Sequence, residues 1–327
     1  MSDLEVIPGA PTAPSSSIAI AGGGETSAPR PSSSRWRDVI RMVLQSWSGR
    51  IGLGLATIII GMAVFAPLIA PYEPTEVLLN SAEGERKLEK PCIHIFGCDE
   101  GEVQHIMGLD ENGRDEFSRV VHGSRISLLA GATAVVLAVC VGTLIGLISG
   151  FYSRRLDNVL MRCMDVLLSF PSLLLAILIV TVLGRGLMNS ILAISIVYVP
   201  VYARVVRGQV LALKELDFVT ADRALGVKSA RILLHRVFPN ALTPLVVQAT
   251  LGFATAVIEI AGLGFLGLGV QPPDAEWGTM ISLASRNILN SPHLVLFPGI
   301  LIFLNVLAFN LLGDALRDAL DPRSERR

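Results

Sequence analysis

Charge is the scarcest property of this chain. Only 17% of its 327 residues are Asp, Glu, Lys or Arg, and 51% are hydrophobic, with a mean hydropathy of +0.58. A soluble domain usually carries about a quarter charged residues. The composition therefore excludes an ordinary soluble domain, and the net charge of −1 gives no indication of a nucleic-acid partner.

Lysine and histidine are too few and too scattered for the common catalytic motifs. A P-loop requires G-x-x-x-x-G-K-[ST] to hold phosphates, and none of the four lysines follows a glycine: Lys87, Lys90, Lys214 and Lys228. The five histidines are spread over loops, and no Ser–His–Asp set or metal triad is recognisable. We therefore predict no catalytic residue and no cofactor bound by this chain, which is then not an enzyme.

Long apolar runs are what the sequence has instead. A helix needs about 20 apolar residues to cross the ~30 Å hydrocarbon core of a bilayer. Six blocks have roughly that length: 51–70, 126–151, 166–183, 187–203, 242–268 and 294–312. Backbone polar groups must be satisfied within lipid, so the blocks should be helical. The predicted fold class is an all-α polytopic membrane protein with six transmembrane helices, of which the third, fourth and fifth are bent by Pro171, Pro200 and Pro244.

Composition also divides the chain into segments. Residues 1–34 are rich in Pro, Ser, Ala and Gly without periodicity, which predicts a disordered tail. Next come an N-terminal segment with the first transmembrane helix at 35–71, and a loop at 72–124. Five helices occupy 125–316, with a basic loop at 215–238, and a short tail follows at 317–327.

Lysine and arginine predict the orientation, because cytoplasmic loops carry an excess of both. With both termini in the cytoplasm, 19 of the 27 basic residues fall on the cytoplasmic side and 8 on the outer side. The loop at 72–124 then lies outside the cell, and the loop at 215–238 lies in the cytoplasm.

The four cysteines divide by location. Cys140 and Cys163 fall in or beside apolar blocks and are interpreted as core residues. Cys92 and Cys98, in PCIHIFGCDE, fall in the outer loop, where we predict a disulfide. The alternative is a metal site with His94 and His105, although its spacing matches no standard zinc pattern.

The cytoplasmic stretch FVTADRALGVKSARILLHRVFPN (218–240) is unusually basic for this chain. Two apolar helical faces flank Gly226, the first made of Ala221, Ala224 and Leu225, the second of Ile232, Leu233 and Val237. We predict two short amphipathic helices bent at the glycine. Such a segment either lies on anionic lipid or docks a cytoplasmic partner.

This stretch resembles the coupling loop of binding-protein-dependent ABC importer permeases, which runs E-A-A, three residues, G, about nine residues, then apolar-Pro. The matching positions are 220–222, Gly226 and 238–240, with Thr220 and Asp222 in place of the family's Glu and second Ala. Four more stretches resemble C-type permeases of dipeptide, oligopeptide and nickel importers: 105–128, 156–177, 262–280 and 306–323. The resemblance covers about residues 36–323.

The resemblance implies a type I ABC importer transmembrane domain at 125–316. It also implies a second, B-type permease, two cytoplasmic P-loop ATPase subunits that use the ATP, and an extracytoplasmic substrate-binding protein as partners in a bacterial or archaeal cell membrane. The implied function is import of di- or oligopeptides; the alternatives are nickel, glutathione or oligosaccharide import, or an ion-coupled secondary carrier. The residues implied in contact with the ATPases are Asp217, Phe218, Thr220, Ala221, Asp222, Ala224, Leu225, Gly226, Arg231 and Pro239.

Three polar residues in or beside the apolar blocks are candidates for the transport path, because charge inside a bilayer is costly. Gln248 lies near mid-span, either as a lining residue or in an interhelical hydrogen bond. Glu259 follows Pro239 by about 30 Å of helix, which favours a position near the outer surface over one in the path. Asp165 is expected at the cytoplasmic edge, near Arg162.

Overall fold

The computed structural model of the chain describes residues 32–78, 87–92 and 105–320. The chain divides into two units, Met1–Asp38 and Val39–Arg327, and of the first unit only the start of a helix is described. Across the described ranges the regular elements are helices, apart from one antiparallel bridge between Leu109 and Asp115. The predicted all-α class is confirmed.

Twelve α-helices make up this described part. In chain order they are α1 (Ser32–Gln45), α2 (Trp47–Val64), α3 (Ala66–Ile69), α4 (Glu116–Phe151), α5 (Arg154–Leu168), α6 (Ser172–Leu183), α7 (Leu187–Leu213), α8 (Asp217–Ala224), α9 (Ser229–Ile232), α10 (Phe238–Phe265), α11 (Trp277–Ala284) and α12 (His293–Leu320). A π-helical turn joins α9 to α10, so that Ser229–Phe265 forms one continuous helix.

Within the described residues, five helices are long and apolar enough to cross a bilayer, and the bent pair of α5 and α6 makes a sixth candidate. They overlap the six predicted apolar blocks without matching their bounds: α2 ends at Val64 and α10 at Phe265, before the ends of their blocks. The helix α4 begins ten residues before position 126, and α7 continues ten residues past position 203. Charged and polar residues continue a helix outside the hydrocarbon core, so apolar blocks mark the membrane crossing and not the ends of the helices.

The third predicted span differs from a single crossing helix. Pro171 bends it as expected, but α5 and α6 meet at 93°. The helix α6 has 12 residues, about 18 Å of rise, which is shorter than the ~30 Å hydrocarbon core. Residues 166–168, the first of the predicted block, belong to the amphipathic helix α5. Proline disfavours helical backbone in the residue before it, which accounts for the break.

Glycines allow α4 and α7 to pack closely. Gly142, Gly146 and Gly150 lie four residues apart, and therefore on one face of α4. A Cβ atom at Gly142 would lie 2.7 Å from the Cβ of Tyr202, and one at Gly146 would lie 2.8 Å from the Cβ of Val206. Small residues at this spacing let the backbones of two membrane helices approach each other. The pair α4–α7 is therefore the tightly packed centre of the bundle.

The helix α2 packs along α12 in a second interface. Ala56 and Ile59 of α2 are buried in one apolar cluster with Ala308 of α12. Gly52 faces the α12 backbone, where an added Cβ would lie 2.8 Å from the amide nitrogen of Leu312. The N-terminal span is thus attached to the last span of the chain.

A buried polar cluster holds the outer end of α4. Asp115 is the N-cap residue, and its carboxylate accepts hydrogen bonds from the Ser118 backbone amide at 2.8 Å and hydroxyl at 2.7 Å. The Arg119 guanidinium donates to the carbonyl oxygens of Pro74 at 2.7 Å and Pro273 at 3.2 Å. These bonds order the segments before α4 and after α10 against the same helix end.

Candidate functional site

The loop between α7 and α10 contains a short helix that ends at a positive-φ glycine. After α8, Gly226 has a φ of +75°. The Gly226 amide donates to the carbonyl of Arg223, and the Val227 amide donates to that of Asp222, both at 3.0 Å. This pair of bonds is a Schellman motif, which satisfies the last carbonyls of a helix and requires a left-handed residue. The bend predicted at Gly226 is present, and the second helix continues through the π-helical turn into α10.

Three contacts attach α8 to the bundle. Val219 is fully buried. The Arg236 guanidinium donates to the Asp222 carboxylate at 3.1 Å. The Arg223 guanidinium lies over the ring of Phe151 at the end of α4, 5.6 Å from the ring centroid. The helix is therefore connected to the π-helical turn before α10 and to the core helix α4.

The opposite side of α8 is exposed. Ala221, Ala224 and Leu225 form the apolar face predicted from the sequence, and the structure places this face outwards. Leu225 is 80% exposed and Phe218 is 40% exposed. We name this surface, made of Phe218, Ala221, Ala224 and Leu225, the coupling face. A helix held by polar and apolar contacts on one side, with an apolar surface on the other, has the form of a docking element.

The other predicted coupling residues lie on both sides of this face. Asp217 begins α8 and is exposed, as is Thr220. Arg231 is exposed in α9, and Pro239 occupies the first turn of α10. Asp222 is turned towards the bundle by its ion pair with Arg236, in which its side chain is 17% exposed. The structure therefore brings these residues together in one segment. Asp222 alone among them faces the bundle, where its ion pair helps to hold α8 in place.

A bidentate ion pair that the sequence analysis missed lies next to this segment. The Arg207 Nε and Nη2 atoms donate to the two carboxylate oxygens of Asp157 at 2.5 Å and 2.7 Å. The Ser149 hydroxyl also donates to Asp157, at 2.5 Å. The pair joins α5 and α7 to the end of α4 across 50 residues of sequence. No local pattern marks it, because the partners belong to three different helices.

Asp165 has a different partner from the one expected. Its carboxylate lies 2.7 Å from the Arg204 guanidinium on α7, and both side chains are more than half exposed. Arg162, its neighbour on α5, had been expected beside it. An exposed pair of this kind contributes about 0–1 kcal/mol to stability. The pair joins α5 to α7.

Glu276, between α10 and α11, is a buried residue that the sequence analysis also missed. It is 1% exposed and caps α11. Its carboxylate accepts the amides of Gly278 and Thr279 at 2.9 Å each, and the Ser127 hydroxyl of α4 at 3.2 Å. Burial raises the pKa of Glu276, and these hydrogen bonds act in the opposite direction. The residue connects the loop after α10 to α4.

Substituting Glu276 with alanine is expected to lower the free energy of unfolding by about 1–3 kcal/mol, because two buried amides lose their acceptor. The decrease is measured by thermal unfolding of the detergent-purified chain. Asp274→Ala is the control, since Asp274 is exposed two residues earlier. An equal stability of both variants would contradict the capping role.

The predicted path residues and cysteines occupy different environments. The Glu259 carboxylate accepts a hydrogen bond from the Ser172 hydroxyl at 2.7 Å, at the bend between α5 and α6. Gln248 is half-buried on α10, about 16 Å of helix closer to the start of α10.

Cys92 is buried and disulfide-bonded, whereas Cys98 lies outside the described residues, so the pairing of the two remains a prediction.

Cys140 and Cys163 are free thiols and are exposed on the isolated chain, which contradicts their assignment to the core. They lie on outward faces of α4 and α5. His94, which the alternative metal site requires, lies outside the described ranges together with Cys98.

Comparison with protein families identifies the chain. The model described as "Binding-protein-dependent transport system inner membrane component" matches residues 142–326, more than half of the sequence. The chain belongs to this family. A second model, "N-terminal TM domain of oligopeptide transport permease C", matches residues 34–91 and places the permease among the C-type subunits of the dipeptide and oligopeptide group. It is a transporter permease subunit and not a member of an enzyme family.

Curated relatives are similar over most of the permease. The dipeptide transport system permease protein DppC of Alkalihalophilus pseudofirmus is 44% identical over 89% of this chain and 90% of its own length. The di/tripeptide transport system permease protein DppC of Pseudomonas aeruginosa is 46% identical over 83% and 87%. The glutathione transport system permease protein GsiD of Pectobacterium atrosepticum is 39% identical over 88% and 91%.

A solved structure supports the fold assignment. A chain of the inward-facing MetNI methionine ABC transporter matches 62% of this permease and 96% of its own length, with a TM-score of 0.52 and 20% sequence identity. The predicted type I ABC importer transmembrane fold is therefore confirmed, and the permease is a multi-pass membrane protein.

Proposed function

We propose that this permease forms, with a second permease subunit, the membrane path of an importer for di- or oligopeptides. Relatives named for dipeptides and di/tripeptides support peptides as the substrate class. Relatives named for glutathione fit only the alternative, in which the same architecture imports another small solute. An extracytoplasmic binding protein delivers the substrate to the outer side of the pair.

The observation that carries this proposal is the coupling face of α8. Its apolar residues point away from the chain, although the helix itself is attached to α4 and α10. An exposed apolar surface next to basic side chains is suited to a groove on a cytoplasmic protein. The partner is an ATPase subunit, which binds and hydrolyses the ATP, since this chain carries no P-loop sequence.

Both termini lie in the cytoplasm in this proposal. The excess of Lys and Arg in the segments assigned to the cytoplasm supports this orientation. It also puts α8 on the side where ATP is available.

The coupling face is tested with Leu225→Asp in the complex of both permeases and the ATPases encoded beside them. A carboxylate on an apolar docking surface should cost about 2 kcal/mol or more of association free energy, which corresponds to roughly a thirtyfold loss of ATPase binding. The amount of ATPase that copurifies with the permease measures the loss.

Leu289→Asp serves as the matched control, since Leu289 is 95% exposed but precedes α12 at the outer end. It should retain normal ATPase binding. Equal ATPase binding by the Leu225 variant and its control would overturn the assignment of the coupling face.

A further inference from the structure

A polar cluster lies within the spanning part of the bundle, where α6, α7 and α10 meet. It consists of Ser172 at the start of α6, Tyr198 on α7, and Thr255 and Glu259 on α10. We name it the Glu259 cluster. The sequence indicated Glu259 alone, because the four residues are separated by up to 87 positions.

The cluster is connected by hydrogen bonds around one carboxylate. The Ser172 hydroxyl donates to Oε1 of Glu259 at 2.7 Å. The Tyr198 side chain of α7 lies near Glu259 and Thr255. The second carboxylate oxygen of Glu259, Oε2, is buried and accepts no hydrogen bond within the described residues. Glu259 is therefore oriented by the Ser172 hydroxyl, with the Tyr198 hydroxyl nearby, and the ion pairs described on the neighbouring segments join Arg204, Arg207 and Arg236 to other acids.

The depth of the cluster follows from α6. The outer end of this helix is fixed by the Gly186 amide, which donates to the carbonyl of Leu268 just after α10. Ser172 lies at the opposite end of α6, about 17 Å of helix away from Leu183. That distance is about half of the ~30 Å hydrocarbon core. Along α10, Glu259 lies about 9 Å of helix before Phe265. Both distances place Glu259 below the outer ends of these helices.

The surface around Glu259 is open on the isolated permease. Ser172 and Thr255 are exposed, and Glu259 is partly exposed beside them. An ionisable group facing lipid at this depth is strongly unfavourable, so acidic residues inside membrane segments face water-filled cavities or other protein groups. The bend at Pro171 exposes this part of α10, because α5 turns away by 93° instead of covering it.

We propose that Glu259 binds the ammonium group of the peptide as it crosses the membrane path. This inference rests on the proposed function, since the path lies between this permease and its partner. A peptide carries a primary ammonium group that must leave water to enter the path. A carboxylate held by neutral hydroxyl groups offers it a charge-assisted hydrogen bond. A purely structural connection between α6 and α10 requires only a neutral hydrogen-bond acceptor, so a glutamine would serve that purpose equally well.

The proposal is tested by thiol labelling at Thr255→Cys in the assembled complex with its ATPases. Cys140 and Cys163 are first replaced with alanine, because both thiols are exposed on the isolated chain. The probes are two methanethiosulfonates, one with an ammonium group and one with a sulfonate group. The measured quantity is the labelling rate with the ammonium reagent divided by the rate with the sulfonate reagent. This ratio should be about tenfold higher when Glu259 is present than in the Glu259→Gln variant, because the carboxylate concentrates cations in the path.

Ligand protection tests the chemistry of recognition. Dialanine should slow labelling at Thr255→Cys, whereas N-acetyl-dialanine, which lacks the ammonium group, should not. Glu259→Gln should abolish the difference between the two peptides. If Thr255→Cys impairs folding, Gly262→Cys is used instead, since Gly262 lies one turn beyond Glu259 on the same face and an added Cβ there meets only the Leu173 side chain, at 3.7 Å.

The outcomes separate this inference from the proposed function. A complex that retains its ATPases but shows no labelling, no charge preference or equal protection by both peptides overturns the role of Glu259 alone. A chain that never assembles with ATPases overturns the proposed function itself. Charge-selective labelling with protection by dialanine supports both.

Discussion

Replacing Gly226 with valine is expected to reduce peptide uptake per ATP hydrolysed by about tenfold or more. Gly226 has a φ of +75° and ends α8 in a Schellman motif. Left-handed backbone costs an ordinary L-residue roughly 1–2 kcal/mol, and a β-branched residue tolerates it least. The substitution should shift α8 towards a conformation in which the coupling face no longer presents the same surface, and 1.4 kcal/mol corresponds to a tenfold population change.

The added volume is not the cause of this effect. An added Cβ at Gly226 meets nothing within 4 Å, so only the backbone conformation is affected. Gly226→Asn is the matched control, because asparagine adopts left-handed backbone at helix ends more readily than other residues. Uptake and ATPase activity are measured in proteoliposomes. Normal coupling in the valine variant would show that the conformation at this position has no part in transmission.

Replacing Gly146 with leucine is expected to separate α4 from α7 and to lower the stability of the permease by about 3 kcal/mol or more. A Cβ there would lie 2.8 Å from the Cβ of Val206 and 3.0 Å from the amide nitrogen of Arg207. The second of these atoms belongs to the α7 backbone and cannot move without the helix. The loss is measured as a lower unfolding temperature of the detergent-purified chain.

Gly54→Leu provides the comparison for this substitution. An added Cβ at Gly54 meets nothing within 4 Å on α2, and the change replaces a poor helix former with a good one. Its unfolding temperature should match or exceed that of the parent. A Gly146 variant as stable as the Gly54 variant would mean that α4 and α7 are not held by close glycine contacts.

Displacing α4 from α7 should also affect the coupling segment. Lys214, just after α7, donates to the carbonyl of Gly150 near the end of α4 at 3.1 Å, and Arg223 of α8 lies over Phe151. Both contacts cross the interface that Gly146 makes possible. We therefore expect reduced ATPase binding by the Gly146 variant, in addition to its lower stability.

The amino-acid sequence was sufficient for the class of protein and the number of membrane blocks. Hydrocarbon imposes length and composition on any segment that crosses it, so that blocks such as 242–268 are recognisable without a structure. The position of the coupling segment was also predictable, since alternating faces around Gly226 and the family resemblance are both local in sequence. The ends of the helices were not, because polar residues prolong α4 and α7 beyond the membrane.

Other features depend on contacts between distant segments. Only the structure shows that the face of Ala221, Ala224 and Leu225 points outwards, because periodicity defines an apolar face but not the side on which its partner lies. The contact between Glu259 and Ser172, which are 87 residues apart, could not be found from a count along α10. The local sequence defines which segments suit lipid and which suit water. Which residues meet is decided by how the helices pack, and a single break such as the 93° bend at Pro171 determines which polar side chains are exposed.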